Sequence, residues 1–339
     1  MEPIVMRSLK MSVELERWPR KAPFRITGRT SEVCDVVVVT LEKDGHVGRG
    51  EASGVHYRGE SVNSIQQQIE SSRTSIETQI SLHSLQSLFA PGGARNALDC
   101  ALWDMEAKIA GQPVWQRAGL APPQPLLTTF TCGADIPEKM AAAAIEYKKS
   151  VNARAIKLKL TGEPNDADRV RAVREALPDI WLMVDANRGF DRPLLEGLMP
   201  TLVAARVALI EQPFPIGQEA LLDGLQLPIP VAADESVQHL SDIQPLAGRF
   251  SMINIKLDKC GGLTEGLAMV KAARAAGLET MVGCMSGTSL AMAPGFLVGQ
   301  FCKFVDLDGP ALLSSDRPVT VRYVDGLITC PETLWGYPA

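Results

Sequence analysis

From Leu126 onward the chain alternates short apolar runs with amphipathic stretches, and this constrains its fold more than any other feature. The apolar runs fall at 127–132, 155–159, 180–185, 207–211, 230–234, 252–256, 279–283 and 304–308, with helical stretches such as 137–150, 166–176 and 263–276 between them. Short apolar runs of this kind read as strands buried on both faces, and their alternation with helices predicts a parallel sheet. Eight such strands fit a (β/α) barrel, which needs about 200 residues. The competing open, doubly wound sheet lacks its usual GxGxxG turn after the first strand. No closing helix follows the eighth strand; residues 309–339 read as loop and a short strand, VTVRYV.

The first third is patterned differently. VVVVTL at 36–41 is a β-branched strand, followed by the turn Lys43, Asp44, Gly45 and a second short strand at 48–51, which together predict a hairpin. Residues 61–81 are polar and helix-compatible, and 96–110 place Leu98, Ala101, Leu102, Met105 and Ile109 at helical spacing before Gly111. The expected division is an α+β unit at 1–120, a barrel at 121–308 beginning in the proline-rich stretch 121–125, and a segment 309–339 returning to the first unit.

Composition narrows the function classes. A chain of 339 residues, 46% hydrophobic, has ample material for a core, and its net charge of −5 provides no basic field for nucleic acid or an anionic membrane. No apolar run of about 18 residues predicts a membrane span, and the first residues lack a secretory apolar stretch, so a cytoplasmic protein is expected. Seven scattered cysteines without a CxxC pair, and only four histidines, give little support to a Cys/His zinc site. Cap or barrel surfaces are open to homo-oligomer formation.

Ionisable residues close most of the expected strands: Lys157 and Lys159, Asp185, Glu211, Asp234, Lys256, then Asp306 and Asp308. In a barrel these strand ends share one mouth, where active sites are built. Asp185, Glu211 and Asp234 close strands three, four and five, spaced 26 and 23 residues apart. Three converging carboxylates repel one another unless a cation sits among them, and hard oxygen donors favour Mg²⁺ or Mn²⁺; three separate helix caps are the alternative. Asn187 and Glu235 are candidate orienters of those ligands. Lys157 and Lys159 share one side of their strand, where like charge is expected to lower the pKa of one amine. Lys256, on strand six, faces strand two across the mouth, so one lysine can take a proton from a carbon while the other returns it to the opposite face. Lys259, past the strand end, reads as a loop charge. Asp306 and Asp308, far from the metal, suit an ammonium at the other end of a substrate. Two extended residues span about 7 Å, which fits a dipeptide better than one amino acid.

These residues carry a resemblance. The KLK of Lys157 to Lys159, VDAN with Asp185, IEQP with Glu211, ADES with Asp234 and NIKLDKCGG with Lys256 resemble the enolase superfamily, specifically its muconate-lactonising subgroup, whose chemistry joins a lysine base to Mg²⁺. DLDGP from Asp306, VGCM from Val282 and RNALDCALWD from Arg95 resemble the dipeptide epimerases within it. The resemblance implies a capping domain, built from the N-terminal third and the C-terminal segment, over a (β/α)7β TIM-type barrel. It implies Mg²⁺ on Asp185, Glu211 and Asp234, and 1,1-proton transfer through a stabilised enediolate, with Lys159 serving the (R) face and Lys256 the (S) face. Asp306 and Asp308 would hold the dipeptide ammonium, and Thr131 and Cys284 match positions that touch substrate; Cys284 stands where some relatives carry serine. Lys157 belongs to the same catalytic and binding set. Ala-Glu is the implied substrate, in murein peptide metabolism, with side-chain choice in cap loops around 20–29 and 54–60, where Arg20, Arg25, Arg29 and Arg58 are available. A cycloisomerase or o-succinylbenzoate synthase on the same scaffold is the next reading, and a non-catalytic barrel the last.

Overall fold

The structure is a computed structural model that describes residues 9–338. Three antiparallel strands open the chain: β1 (Lys10–Ile26), β2 (Arg29–Lys43) and β3 (His46–Ala52). Asp44 and Gly45 form the two-residue turn between β2 and β3, both with positive φ (52° and 83°), as a hairpin turn of the primed class requires. The run Val36–Val39 is apolar throughout because β2 is covered on both faces. Val37 and Val39 pack on the helix Gly93–Ala110, whereas Val36 and Val38 join the barrel core. Gly48 and Gly50 permit that close approach, since a Cβ at Gly50 would stand 2.0 Å from the carbonyl oxygen of Ala97.

The short strand β4 (Leu126–Leu127) leads into eight parallel strands. These are β5 (Phe130–Cys132), β6 (Ala155–Lys159), β7 (Trp181–Asp185), β8 (Val207–Glu211), β9 (Val231–Ala233), β10 (Met252–Lys256), β11 (Glu279–Gly283) and β12 (Phe304–Asp306). They are hydrogen-bonded in sequence order, and the Thr129 N–H donates to Val305 O at 2.9 Å, linking the entry to β5 with β12. Met183, Leu209, Ala232, Met252 and Met281 form a small apolar cluster inside the barrel, on the same strand parity as the charged residues above them.

Three expectations change. The first predicted barrel strand is broken: Leu126 and Leu127 pair with the C-terminal strand β14 (Leu327–Thr329), itself paired with β13 (Arg322–Val324). Thr128 and Thr129 spend their N–H groups on Gly326 and Val305 instead. The region around residues 20–29 is a hairpin end of β1 and β2 rather than a loop, with Ile26 opposite Arg29. Its tip rests on the barrel mouth, where Thr27 Oγ1 donates to Ala186 O at 2.8 Å and Arg25 pairs with Glu163 at 2.5 Å. The predicted polar helix at 61–81 is two helices, Val62–Ser71 and Arg73–Gln79. After β12 a short 3₁₀ turn (Gly309–Leu312) follows in place of an eighth helix. The chain then reaches the first unit: Arg317 pairs with Glu16 and Glu51, and Trp335 Nε1 donates to Arg49 O. Among the described residues no helix is long and apolar enough to cross a membrane.

Candidate active site

Strand register brings the charged residues to one level. Lys159 lies opposite Asp185, Asp185 opposite Glu211, and Lys256 opposite Gly283, which in turn lies opposite Asp306. Asp185, Glu211 and Asp234 are buried, and one oxygen from each lies within 4.8 Å of the others. Two lysines approach this triad from its two ends: Lys159 Nζ is 2.5 Å from Asp185 Oδ2, and Lys256 Nζ is 2.6 Å from Asp234 Oδ2. Glu211 stands on the strand between them.

The charges hold one another in place. Burial opposes ionisation of Asp185, but Lys159 and Lys157 outweigh it and keep that carboxyl at about 2. Burial and the neighbouring Asp185 charge raise Glu211 to about 7. Burial would lower Lys256, yet Asp234 and Glu211 raise it above the ordinary lysine value. At Lys157 like charge does not prevail. Lys157 is raised instead, because its Nζ lies 2.8 Å from Asp306, 2.7 Å from Glu211 and 3.1 Å from Asp185, and these carboxylates overcome the cost of burial. Nor is Asp306 far from the triad, since Lys157 bridges it to Glu211.

The donor set fits a hard divalent cation: three carboxylates, no sulfur and no imidazole. Two buried oxygens without a hydrogen-bond partner, Glu235 Oε2 and Asn187 Oδ1, belong to residues that line the same cavity as Asp234. Asn187 donates its N–H to Asp185 Oδ1 at 2.8 Å and its Nδ2 to Glu235 Oε1 at 3.3 Å. Asn187 and Arg188 hold left-handed backbone (φ 41° and 68°), a local strain of about 1 kcal/mol or more each.

A cavity of about 60 Å³ reaches Asp234 of the triad, and Lys157, Lys159, Lys256, Thr131, Cys284, Asp306 and Asp308 all line it. Asp308 Oδ2 accepts the Thr131 N–H at 2.6 Å, while burial and Asp306 raise its pKa to about 6. Burial pushes the Cys284 thiol up, away from reactive thiolate. Beside this space a cavity of about 210 Å³, lined by Arg20, Arg29, Ser31, His56 and Ser286 among others, continues between hairpin and barrel. Arg25 is held by Glu163, and neither cavity is lined by Arg58.

Sequence reasoning missed three residues. Lys259 is not a loop charge: it is fully buried and bonded to Asp234. Asn254 donates to Glu211 Oε1 at 2.9 Å, and a polar residue two places before Lys256 in a buried strand was a readable sign. Gln212 Oε1 accepts the N–H groups of Asp234 and Ser236.

The family model for the mandelate racemase / muconate lactonizing enzyme N-terminal domain matches residues 8–119, and that for the enolase C-terminal domain-like fold matches 139–334. The chain belongs to the mandelate racemase/muconate lactonizing family of the enolase superfamily. Within this family it is 38% identical over 321 residues to an L-Ala-D/L-Glu epimerase from Escherichia coli, covering 95% of this chain and 99% of that protein. A solved enolase family member from Agrobacterium tumefaciens, described as homologous to dipeptide epimerases with bound sodium and L-Ala-L-Glu, superimposes with a TM-score of 0.93. It is 39% identical, over 97% of this chain and 100% of that one. A dipeptide epimerase from Methylococcus capsulatus, complexed with Mg and L-Arg-D-Lys, gives a TM-score of 0.89 at 30% identity, covering 98% and 99%.

Proposed function

We propose that this chain is a Mg²⁺-dependent dipeptide epimerase that inverts the α-carbon of the C-terminal residue, with Ala-Glu as its favoured substrate. The observation that carries this reading is the placement of Lys159 and Lys256 at the two ends of one acidic triad. Asp185, Glu211 and Asp234 would hold the ion. Held there, it would supply positive charge to offset the charge developing on a substrate carboxylate. The protein's own groups do the rest. Lys159 and Lys256 sit so that one amine can accept the α-proton while the other, as an ammonium, delivers a proton to the opposite face. Lys157, saturated by carboxylates, keeps its proton and holds Asp306 and Glu211 in place. Asp308, with Asp306 beside it, would receive the dipeptide ammonium, and Thr131 orients Asp308 through its N–H. Cys284 supplies an inert wall. Asn187 and Glu235 would steady the ligands.

Side-chain choice would lie in the larger cavity, where Arg20 and Arg29 can meet a glutamate carboxylate. The reading places the enzyme in the cytoplasm, recycling murein peptides. A cycloisomerase or synthase on this scaffold would have no ammonium for Asp308. The test is incubation of the metal-stripped protein with a dipeptide panel, with and without Mg²⁺, followed by chiral separation. Inversion of the C-terminal residue of Ala-Glu only with Mg²⁺ supports the reading; no inversion of any dipeptide removes it.

A further inference from the structure

Lys259 is a buried lysine at this centre that does not line the cavity. Its Nζ lies 2.6 Å from Asp234 Oδ1, 2.6 Å from the Asp234 main-chain oxygen and 2.9 Å from Asn254 O. Three acceptors match the three N–H donors of an ammonium. Both oxygens of Asp234 are therefore assigned: Oδ1 to Lys259, Oδ2 to Lys256. The other two triad members lack such backing on the oxygens turned from the lysines. Asp185 Oδ1 takes a backbone N–H and Glu211 Oε1 an amide.

The turn that carries Lys259 is fastened independently. Residues Leu257–Cys260 form a single helical turn ended by Gly261 in left-handed backbone (φ 79°). Arg95, from the helix Gly93–Ala110, donates to Cys260 O at 2.6 Å, and Asp99 accepts the Thr264 N–H at 3.0 Å. On the neighbouring residue, Asp258 accepts the N–H groups of Ser53 and Gly54. Lys259 thus projects from an anchored support onto one carboxylate.

We propose that Lys259 is a positioning residue that fixes the rotation of Asp234, so that Oδ2 alone is presented to the ion and to Lys256. This rests on the reading of Asp234 as a metal ligand. The proposal opposes a simpler role as counter-charge. Coulomb attraction alone says that removing an ammonium beside a carboxylate tightens cation binding; positioning says that it weakens it.

The experiment is calorimetric titration of Mg²⁺ into metal-stripped wild type, Lys259→Met, Lys259→Arg and Glu211→Gln, with melting of each in EDTA as a separate measure of folding. Loss of an outer-shell partner costs about 10–100-fold in metal affinity. Wild type is expected to bind Mg²⁺ and Glu211→Gln to lose most of that binding. Lys259→Met is expected to bind about 10–100-fold more weakly. Lys259→Arg keeps the charge but cannot direct three N–H groups from one nitrogen, so it also weakens binding. If Lys259→Met fails to fold, Lys259→Arg decides. Affinity equal to or tighter than wild type in the folded Lys259 variants overturns the proposal while leaving the metal reading intact. Absence of Mg²⁺ binding by wild type overturns both.

Discussion

Lys157 Nζ lies 2.8 Å from Asp306 and ties β6 to β12, strands that are not neighbours in the barrel. Asp306 is thereby engaged within the protein, which leaves Asp308 as the carboxylate with the larger share of an incoming ammonium. Hydrogen bonds to charged groups contribute about 1.5–3 kcal/mol. Asp308→Asn is therefore expected to raise KM for a dipeptide about 10–100-fold, with kcat changed far less. Steady-state kinetics check this; an unchanged KM would place the ammonium elsewhere.

Arg317 pairs with the fully buried Glu51 at 2.6 Å and with Glu16 at 2.7 Å, joining the C-terminal segment to β1 and β3. Breaking a buried pair by removing one partner costs about 3–5 kcal/mol, because the remaining charge stays buried. Arg317→Met should lose that much stability, whereas Arg317→Met with Glu51→Gln should recover part of it. Denaturant unfolding measures both.

The barrel and its charged rim were legible because a buried parallel strand has no ordinary use for an ionisable residue, so Lys159, Asp185, Glu211 and Lys256 stand out against apolar runs. β1 was not legible. Its 17 residues include Pro19 and Pro23, which argue against a strand, yet β1 lies at the edge of its sheet and Pro23 falls in the break of register between Pro19 and Phe24, positions where proline is tolerated. The Arg317–Glu51 pair was hidden by 266 residues of separation. Lys259 was hidden because its reach to Asp234 depends on the turn at Gly261, which strand periodicity does not report.

Asp258 gives a pH signature. Burial raises it to about 7, despite N–H groups from Gly54 and Ser53 that favour its charge. Unfolded, it titrates near the ordinary value of about 3.9, so between those values the folded chain binds the extra proton. Its contribution to stability is fully present below about 3.9 and is lost as pH rises through about 7. Asp258→Asn removes that loss, so its melting temperature relative to wild type should rise between pH 5 and pH 8. A pH-independent difference contradicts the assignment.

Arg20 carries the specificity prediction. Its Nη2 donates to Ser286 Oγ at 2.8 Å and its Nε to Ser31 Oγ at 3.1 Å, while Nη1 is buried without a partner beside the larger cavity. Arg20→Gln is expected to lower kcat/KM for Ala-Glu about 10–100-fold and to spare Ala-Ala. Equal losses on both dipeptides would remove Arg20 from side-chain recognition.

Central to the whole account is the division of labour between Lys159 and Lys256 across one carbon. The direct measurement is α-proton exchange in D₂O, followed by NMR, for Lys159→Ala and Lys256→Ala with each hand of the C-terminal residue. Each variant should lose epimerisation by about 10²–10⁴-fold. Lys159→Ala should still exchange the L-configured residue through Lys256, and Lys256→Ala the D-configured residue through Lys159. Exchange of the same hand by both variants, or epimerisation surviving in either, would contradict the two-base geometry.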